Sequence, residues 1–334
     1  MPQAHVAFLD RFHQEIYSAI ERALPEGWTY SFAASKESAD QFAAVSQADL
    51  LFVMAAQVPA EVISAAPKLR MIQKLGAGVD KIDLKMCEQR GIAVARLAGG
   101  NAIPVAEHAL SLMLATLRRL PAVDRRTRAG EWLKEESRGI NRQITGKRVG
   151  LVGFGAIGKA LAKLLSGFDI ELVYFDPAVP AADAERQFRI KSLPLDDLLE
   201  TCDIVSLHLP LLPETAGLIG KERIARMKPG AVLINCARGG LVDEEALADA
   251  LADGRLFGAG LDAFAKEPPI GSRLLTMDQT VVTPHMGGAT VDNFRFVIER
   301  AVANAVQYLN GGGLPAADVV FVPQGVATKP GASS

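Results

Sequence analysis

Cysteine is scarce in this chain. The three present, Cys87, Cys202 and Cys236, are too few and too scattered for a disulfide framework, and no C-x-x-C pair signals a zinc site or a dithiol redox site. A reducing compartment, the cytoplasm, is the expectation. An excess of charge of one sign is missing as well: 36 Lys and Arg face 38 Asp and Glu, a formal net charge of −2. Such a balance sets up no strong field toward nucleic acid or an anionic membrane. Long hydrophobic runs are absent too. The most apolar stretch, Ala102–Leu117, carries Glu107 and His108 and is short for a bilayer span. The first residues lack a basic n-region and meet charge at Asp10 and Arg11, so no secretory signal is expected. The reading is a protein with no nucleic-acid, membrane or metal partner.

What is there suits a large α/β protein. A length of 334 residues, 49% of them hydrophobic, provides for two domains with sizeable cores. His5–Leu9, Leu50–Met54 and Met71–Leu75 are short apolar runs with helical patterns between them, at Gln14–Ala23 and Pro59–Ala66. Asn101–Arg128 reads as a long helical region, broken or kinked near Pro121. From Lys147 a second series begins, with strands expected at Arg148–Gly153, Glu171–Asp176, Asp203–Leu209, Ala231–Cys236, Gly258–Ala263 and Thr280–Thr283. Ala289–Leu309 is again helical, and Thr328–Ser334 is expected to be a disordered tail. Short strands alternating with helices predict parallel sheets.

Val149-Gly-Leu-Val-Gly-Phe-Gly-Ala-Ile-Gly158 contains G-x-G-x-x-G at Gly153, Gly155 and Gly158, between a strand and a helix expected from Lys159. The first glycine permits a tight turn, the second lets a pyrophosphate approach the backbone, and the third lets helix and strand pack closely. The helix N-terminus offers free N–H groups to an anion. A glycine turn could be structural alone, but the next strand ends in Asp176, 18 residues after Gly158. That is near the ~20 expected of a ribose-binding carboxylate.

Three further polar residues stand at expected strand ends. Arg238 closes Ala231-Val-Leu-Ile-Asn-Cys-Ala-Arg-Gly-Gly240, Glu267 lies in Gly260-Leu-Asp-Ala-Phe-Ala-Lys-Glu-Pro268, and His285 in Val281-Val-Thr-Pro-His-Met-Gly-Gly288. Ligands of open α/β sheets gather at the carboxyl ends of strands. An arginine there can hold a carboxylate by two parallel hydrogen bonds, although alone it reads equally as a surface ion pair. A lone histidine is more often structural. A histidine beside a carboxylate has one ring nitrogen held and its basicity raised, which suits an acid/base near neutrality.

These motifs resemble the D-isomer-specific 2-hydroxyacid dehydrogenase family, which includes phosphoglycerate dehydrogenases and glyoxylate/hydroxypyruvate reductases. The resemblance runs from about Leu69 to Leu309 and includes Gly76-Ala-Gly-Val-Asp80, Asn101-Ala-Ile-Pro-Val-Ala-Glu-His108 and Leu207-His-Leu-Pro-Leu-Leu-Pro-Glu-Thr215. It implies two flavodoxin- or Rossmann-like doubly wound domains with a cleft between them. Residues 101–287 would bind NAD, and 1–100 with 288–334 would bind substrate.

Family chemistry is hydride transfer between NAD and the α-carbon of a 2-oxo or 2-hydroxy acid. Arg238 would bind the substrate carboxylate, His285 would exchange the proton, and Glu267 would hold the imidazole. Ala77 and Gly78 would share the carboxylate through their N–H groups. Ala156, Ile157 and Asp176 would touch the cofactor with the glycine turn. His208, Leu209, Pro210 and Thr215 would line its adenosine side, while Cys236, Ala237, Asp262, Gly287 and Gly288 would approach the nicotinamide end. Lys74 stands where phosphoglycerate dehydrogenases usually carry an arginine, so it would meet a distal anionic group or pair with a nearby acid. With little room in 334 residues for the long regulatory extension of many phosphoglycerate dehydrogenases, glyoxylate or hydroxypyruvate is the first expectation and phosphoglycerate chemistry the alternative. A dinucleotide-sensing corepressor is the alternative of a different class. The apolar region around Ile103, Val105, Leu110, Leu114 and Leu117 and the arm Arg125–Arg142 imply a homodimer. Trp132 on that arm would reach the partner's substrate pocket or pack within its own interface.

Overall fold

Successive side chains along the short strands point to opposite faces, and in the central strands both faces are buried. The computed structural model describes residues 2–323 and 328–329. The first part of the chain runs β1 (His5–Phe8), α1 (Gln14–Ala23), β2 (Thr29–Phe32), α2 (Ser38–Val45), β3 (Leu50–Val53), α3 (Ala60–Ser64), β4 (Met71–Lys74), α4 (Leu84–Gln89) and β5 (Ala93–Ala95). In β3, Leu50 and Phe52 enter one core with Phe8, Ile20 and Trp28. Leu51 and Val53 enter another with Val45, Ile63 and Ile72. A strand that buries both faces reads as a continuous apolar run, as a parallel sheet covered by helices requires.

Three helices follow: α5 (Ala102–Leu117), α6 (Leu120–Arg128) and α7 (Lys134–Ile140). The break expected near Pro121 falls just before it. Arg119 takes a left-handed φ of 48°, and the proline sits in the first turn of α6, where its missing N–H costs nothing. On α5, Val105 and Leu117 are buried, while Ile103 and Leu114 stay exposed.

The second βα series comprises β6 (Arg148–Val152), α8 (Ala156–Leu165), β7 (Glu171–Phe175), α9 (Ala181–Phe188), β8 (Lys191–Ser192), α10 (Leu195–Thr201), β9 (Ile204–Leu207), α11 (Lys221–Arg226), β10 (Val232–Asn235), α12 (Glu244–Ala252), β11 (Gly258–Leu261) and β12 (Thr280–Val282). The sheet order is β12-β11-β10-β9-β6-β7-β8, every pair parallel. The order reverses direction between β6 and β9, so the carboxyl ends there form the crevice where doubly wound sheets take ligands.

The chain ends with α13 (Val291–Leu309), β13 (Leu314–Pro315), β14 (Val319–Phe321) and β15 (Thr328–Lys329). Thr290 caps α13 by accepting the N–H of Asn293 at 3.1 Å. Phe294, Val297, Ile298 and Ala301 form its apolar stripe and pack into the core around Phe8 and Phe52. Among the described residues the first sheet is β14-β5-β4-β3-β1-β2, with β14 antiparallel. Two compact units result: one runs up to Asn101 and resumes at Thr290, and the other is Ala102–Ala289. Of the segment expected to be a disordered tail, Thr328 and Lys329 form the strand pairing with Leu314 and Pro315. Residues 330–334 lie outside those described.

Candidate active site

The glycine turn follows β6 and is closed by backbone contact. Gly153 has φ 99°, and a Cβ there would lie 2.7 Å from the carbonyl carbon of His208. A Cβ on Gly158 would lie 2.4 Å from the oxygen of Gly153. Neither position admits a side chain. A Cβ on Gly155, by contrast, would meet nothing within 4 Å among the described residues, so the turn is open on that side. Gly155 is the N-cap of α8, and Ala156, Ile157 and Gly158 form its first turn, whose N–H groups have no intrahelical acceptors. Asp176 follows β7 and braces the turn: its Oδ2 accepts the N–H of Phe154 at 2.7 Å and its Oδ1 that of Ala178 at 2.9 Å. Each oxygen keeps a second lone pair for a ribose hydroxyl.

After β9 come His208, Leu209 and Pro210. Both ring nitrogens of His208 are buried with no hydrogen-bond partner among the described residues. Burial pushes its pKa down to about 4, so the ring is neutral near pH 7. Thr215 spends its hydroxyl on its own loop, donating to Pro210 O at 2.7 Å and accepting from Leu212 N at 2.8 Å. The open glycine, the helix N-terminus, the braced carboxylate and an unsatisfied imidazole beside them fit a dinucleotide.

Arg238, Glu267 and His285 stand beyond the carboxyl ends of β10, β11 and β12, which are neighbours in the sheet. Asn235 shapes the first of these turns. Its Oδ1 accepts the N–H of Ala237 at 3.0 Å, and its Nδ2 donates to Arg238 O at 2.9 Å. Gly239 presses against the next loop so closely that a Cβ would lie 1.8 Å from the carbonyl carbon of Phe264. Glu267 Oε1 accepts from Phe264 N at 3.3 Å and pairs with His285 Nδ1 at 2.8 Å. With Nδ1–H committed to that carboxylate, Nε2 is the atom left for chemistry. His285 itself has a left-handed φ of 55°.

Asp262, buried at the end of β11, gathers the His285 loop. It accepts from Thr283 Oγ1 at 2.6 Å and from the N–H groups of Met286 and Gly287 at 2.8 Å each. Burial pushes its carboxyl up, but hydrogen bonds from His108, Thr283, Met286 and Gly287 outweigh that and hold it below the usual carboxylate range. Cys236 and Ala237 are buried behind Arg238, and Gly288 ends the loop. Burial raises all three thiols, Cys87 to about 11, Cys202 to about 12 and Cys236 further, so none is a thiolate at neutral pH.

The remaining candidates lie elsewhere. Lys74, Ala77 and Gly78 belong to the first unit, at the carboxyl end of β4. Lys74 Nζ donates to the backbone carbonyl of Met54. Asp10 holds the same loop, accepting from the N–H groups of Met54, Ala55 and Ala56. Trp132 is 82% exposed between α6 and α7. Asn235, Asp10 and His108 escaped the sequence reading. Asn235 and His108 lie within motifs quoted for other residues, and Asp10 carries no spacing signal. Among the described residues there is no cluster able to hold a metal and no helix long and apolar enough to cross a membrane.

Residues 110–287 match the family model described as D-isomer specific 2-hydroxyacid dehydrogenase, NAD binding domain. The chain is 47% identical over 251 residues to the D-3-phosphoglycerate dehydrogenase of Mycobacterium tuberculosis, covering 75% of this chain and 47% of that one. It thus spans about half the length of the phosphoglycerate dehydrogenases it matches at this level. It is 38% identical over 257 residues to the hydroxypyruvate reductase of Thermotoga maritima, covering 76% of this chain and 82% of the other. The NAD-dependent formate dehydrogenase of Staphylococcus aureus, solved with NAD, superposes with a TM-score of 0.83 at 26% identity, covering 96% of this chain and 100% of that one.

Proposed function

The chain belongs to the D-isomer specific 2-hydroxyacid dehydrogenase family, and from that premise we propose that it interconverts a small 2-oxo acid and its D-2-hydroxy acid with NAD(H). Glyoxylate or hydroxypyruvate is the first choice of substrate. The observation that carries the reading is the 2.8 Å pair between His285 Nδ1 and Glu267 Oε1, beside Arg238 on the neighbouring strand end.

Bound at the glycine turn, NADH supplies a hydride to the substrate α-carbon. Arg238 holds the substrate carboxylate with its planar fork and polarises the 2-oxo group. His285 carries a proton at Nε2 and delivers it to the oxygen that becomes the hydroxyl; in oxidation the neutral Nε2 takes it back. Glu267 fixes the ring and stabilises its charged form. Asp176 receives the adenosine ribose, and a 2′-phosphate there would meet like charge. The substrate roles of Lys74, Ala77 and Gly78 rest on the family resemblance.

Phosphoglycerate chemistry is the second reading, favoured by the 47% identity to phosphoglycerate dehydrogenases. Lys74, one of whose three ammonium donors is on the Met54 carbonyl, would be the group to meet a distal phosphate. NADH oxidation with glyoxylate, hydroxypyruvate and phosphohydroxypyruvate separates the readings by kcat/KM. Silence across all three with tight NADH binding would overturn the enzyme reading in favour of a dinucleotide sensor.

A homodimer completes the proposal. Ile103, Leu114, Leu120, Trp132 and Ile140 are exposed apolar residues within α5–α7, a concentration that suits burial against a second copy. Sedimentation as a monomer at micromolar concentration would remove it. The three unpaired buried thiols suit the cytoplasm.

A further inference from the structure

His108 lies in α5, and its Nε2 is 3.0 Å from Thr283 Oγ1 and 3.4 Å from Asp262 Oδ1. The Thr283 hydroxyl lies 2.6 Å from the same carboxylate oxygen. An ionised carboxylate only accepts, so the hydroxyl proton is committed to Asp262, and the Thr283 oxygen is left as an acceptor. Both neighbours of His108 Nε2 are therefore acceptors, and Nε2 must carry a proton. That is true of the Nε2–H tautomer and of the imidazolium alike, so the link does not depend on the charge of His108.

Around this link the loop of His285 is tied on both sides. Thr283, two residues before His285, gives its hydroxyl to Asp262, and Met286 and Gly287, just after it, give their N–H groups. The His108 ring also packs on Gly287, where a Cβ would lie 3.4 Å from His108 Cδ2. Between these anchors His285 holds a φ of 55°. For a residue with a Cβ that conformation is disfavoured and persists where the surroundings over-determine it.

We propose that His108 is a positioning residue: through Asp262 and Thr283 it holds loop 283–287 in the conformation that presents His285 to Glu267 and to substrate. The catalytic part of this rests on the reading of His285 given above. A residue that merely filled space beside Gly287 could be replaced by an apolar ring. A positioning donor could be replaced by the amide of glutamine, which reaches to about where Nε2 stands.

The test uses the full chain with His108→Phe and His108→Gln. His108→Phe should lower kcat by about ten- to hundredfold, with KM for the oxo acid and the Kd of NADH within about twofold. His108→Gln should return kcat to within about threefold of the unmodified enzyme. Independently of turnover, 15N-histidine labelling of the five histidines should show the His285 Nδ1 proton, bonded to Glu267, in the unmodified protein and in His108→Gln. It should be lost to solvent exchange in His108→Phe. Should His108→Phe fail to fold, Thr283→Val breaks the same link from the other side and should show the same loss of kcat and of the Nδ1 signal. Unchanged kcat with a retained Nδ1 proton in His108→Phe, or equal damage in both His108 variants, would overturn the proposal. An equal loss of NADH affinity would also overturn it, since His108 would then shape the cofactor site. If the unmodified chain reduces no 2-oxo acid, the functional reading falls and the imidazole signal alone decides the positioning role.

Discussion

The two units share a sheet architecture but secure their strand-end loops by different means. In the second unit backbone meets backbone at two turns, where Gly158 lies on the Gly153 carbonyl and Gly239 on Phe264 and Ala265, while residues 283–287 hang from the buried side chain of Asp262. In the first unit the tips of side chains hold the loops. Asp10 takes three N–H groups after β3, Lys74 reaches the Met54 carbonyl, and a Cβ on Gly76 would come no closer than 3.4 Å, to Lys74 Nζ. A flexible ammonium can give way and a packed backbone cannot. Gly158 and Gly239 are thus demanded by the chain itself, whereas Gly76 is not.

Gly239→Ala tests that contrast hardest. The added carbon would sit 1.8 Å from Phe264 C, and we expect a loss above about 4 kcal/mol, seen as failure to fold or a collapsed thermal transition. A Tm within about 4 °C of the unmodified protein would show that the two loops can part.

His285→Ala should cut turnover by about 10²–10⁴-fold with NADH affinity little changed, because it removes the proton donor and leaves the glycine turn intact. Near-normal turnover would take the proton transfer away from the second unit's strand ends.

Asp176→Ala comes next. The unmodified enzyme should prefer NAD(H) to NADP(H) by roughly a hundredfold in kcat/KM, about 2.7 kcal/mol, and the variant should retain under about tenfold. Equal use of both cofactors by the unmodified protein would mean that a cation elsewhere neutralises the phosphate.

Asp262→Asn has a smaller effect with a pH signature. The folded carboxyl is held low, so its stabilisation is full above the unfolded value near about pH 4 and is lost as pH falls through the folded pKa. The variant should lose roughly 1–3 kcal/mol at pH 7 and show a flatter acid limb in denaturant midpoints below about pH 4. An unchanged limb would mean that the aspartate binds its partners as well protonated as charged.

Gly76→Ala should be the mildest, within about 0.5 kcal/mol. A loss of 2 kcal/mol or more would place the first unit's loop under the same constraint as the second's and dissolve the comparison.

Much of the α/β alternation was legible because each long strand is its own signal. Leu50–Val53, Arg148–Val152 and Val232–Asn235 are apolar runs bounded by turn residues, and they became β3, β6 and β10. The strands without such a signal are β2, β5, β8 and the short C-terminal β13, β14 and β15. Thr29–Phe32 is half exposed, Ala93–Ala95 has three residues, and Lys191–Ser192 is an exposed pair at a sheet edge. Their pairing comes from neighbours, so no local pattern marks them. The break expected near Pro121 is present, but its exact place at Arg119 has no local mark: proline announces a helix start as readily as a kink, and packing chooses between them.

By itself, then, the sequence determined the parallel α/β class, the glycine turn with an aspartate one strand later, and the presence of Arg238, Glu267 and His285 near strand ends. These follow from periodicity and spacing within windows of some twenty residues. Tertiary structure alone decided that Glu267 takes His285 Nδ1, that Asn235 folds the Arg238 turn, that Lys74 reaches a backbone carbonyl, and that His108 meets Asp262 across 154 residues of chain. The order β12-β11-β10 sets strand ends about 4.8 Å apart regardless of the chain between them, and no local pattern in the sequence records which ends those are.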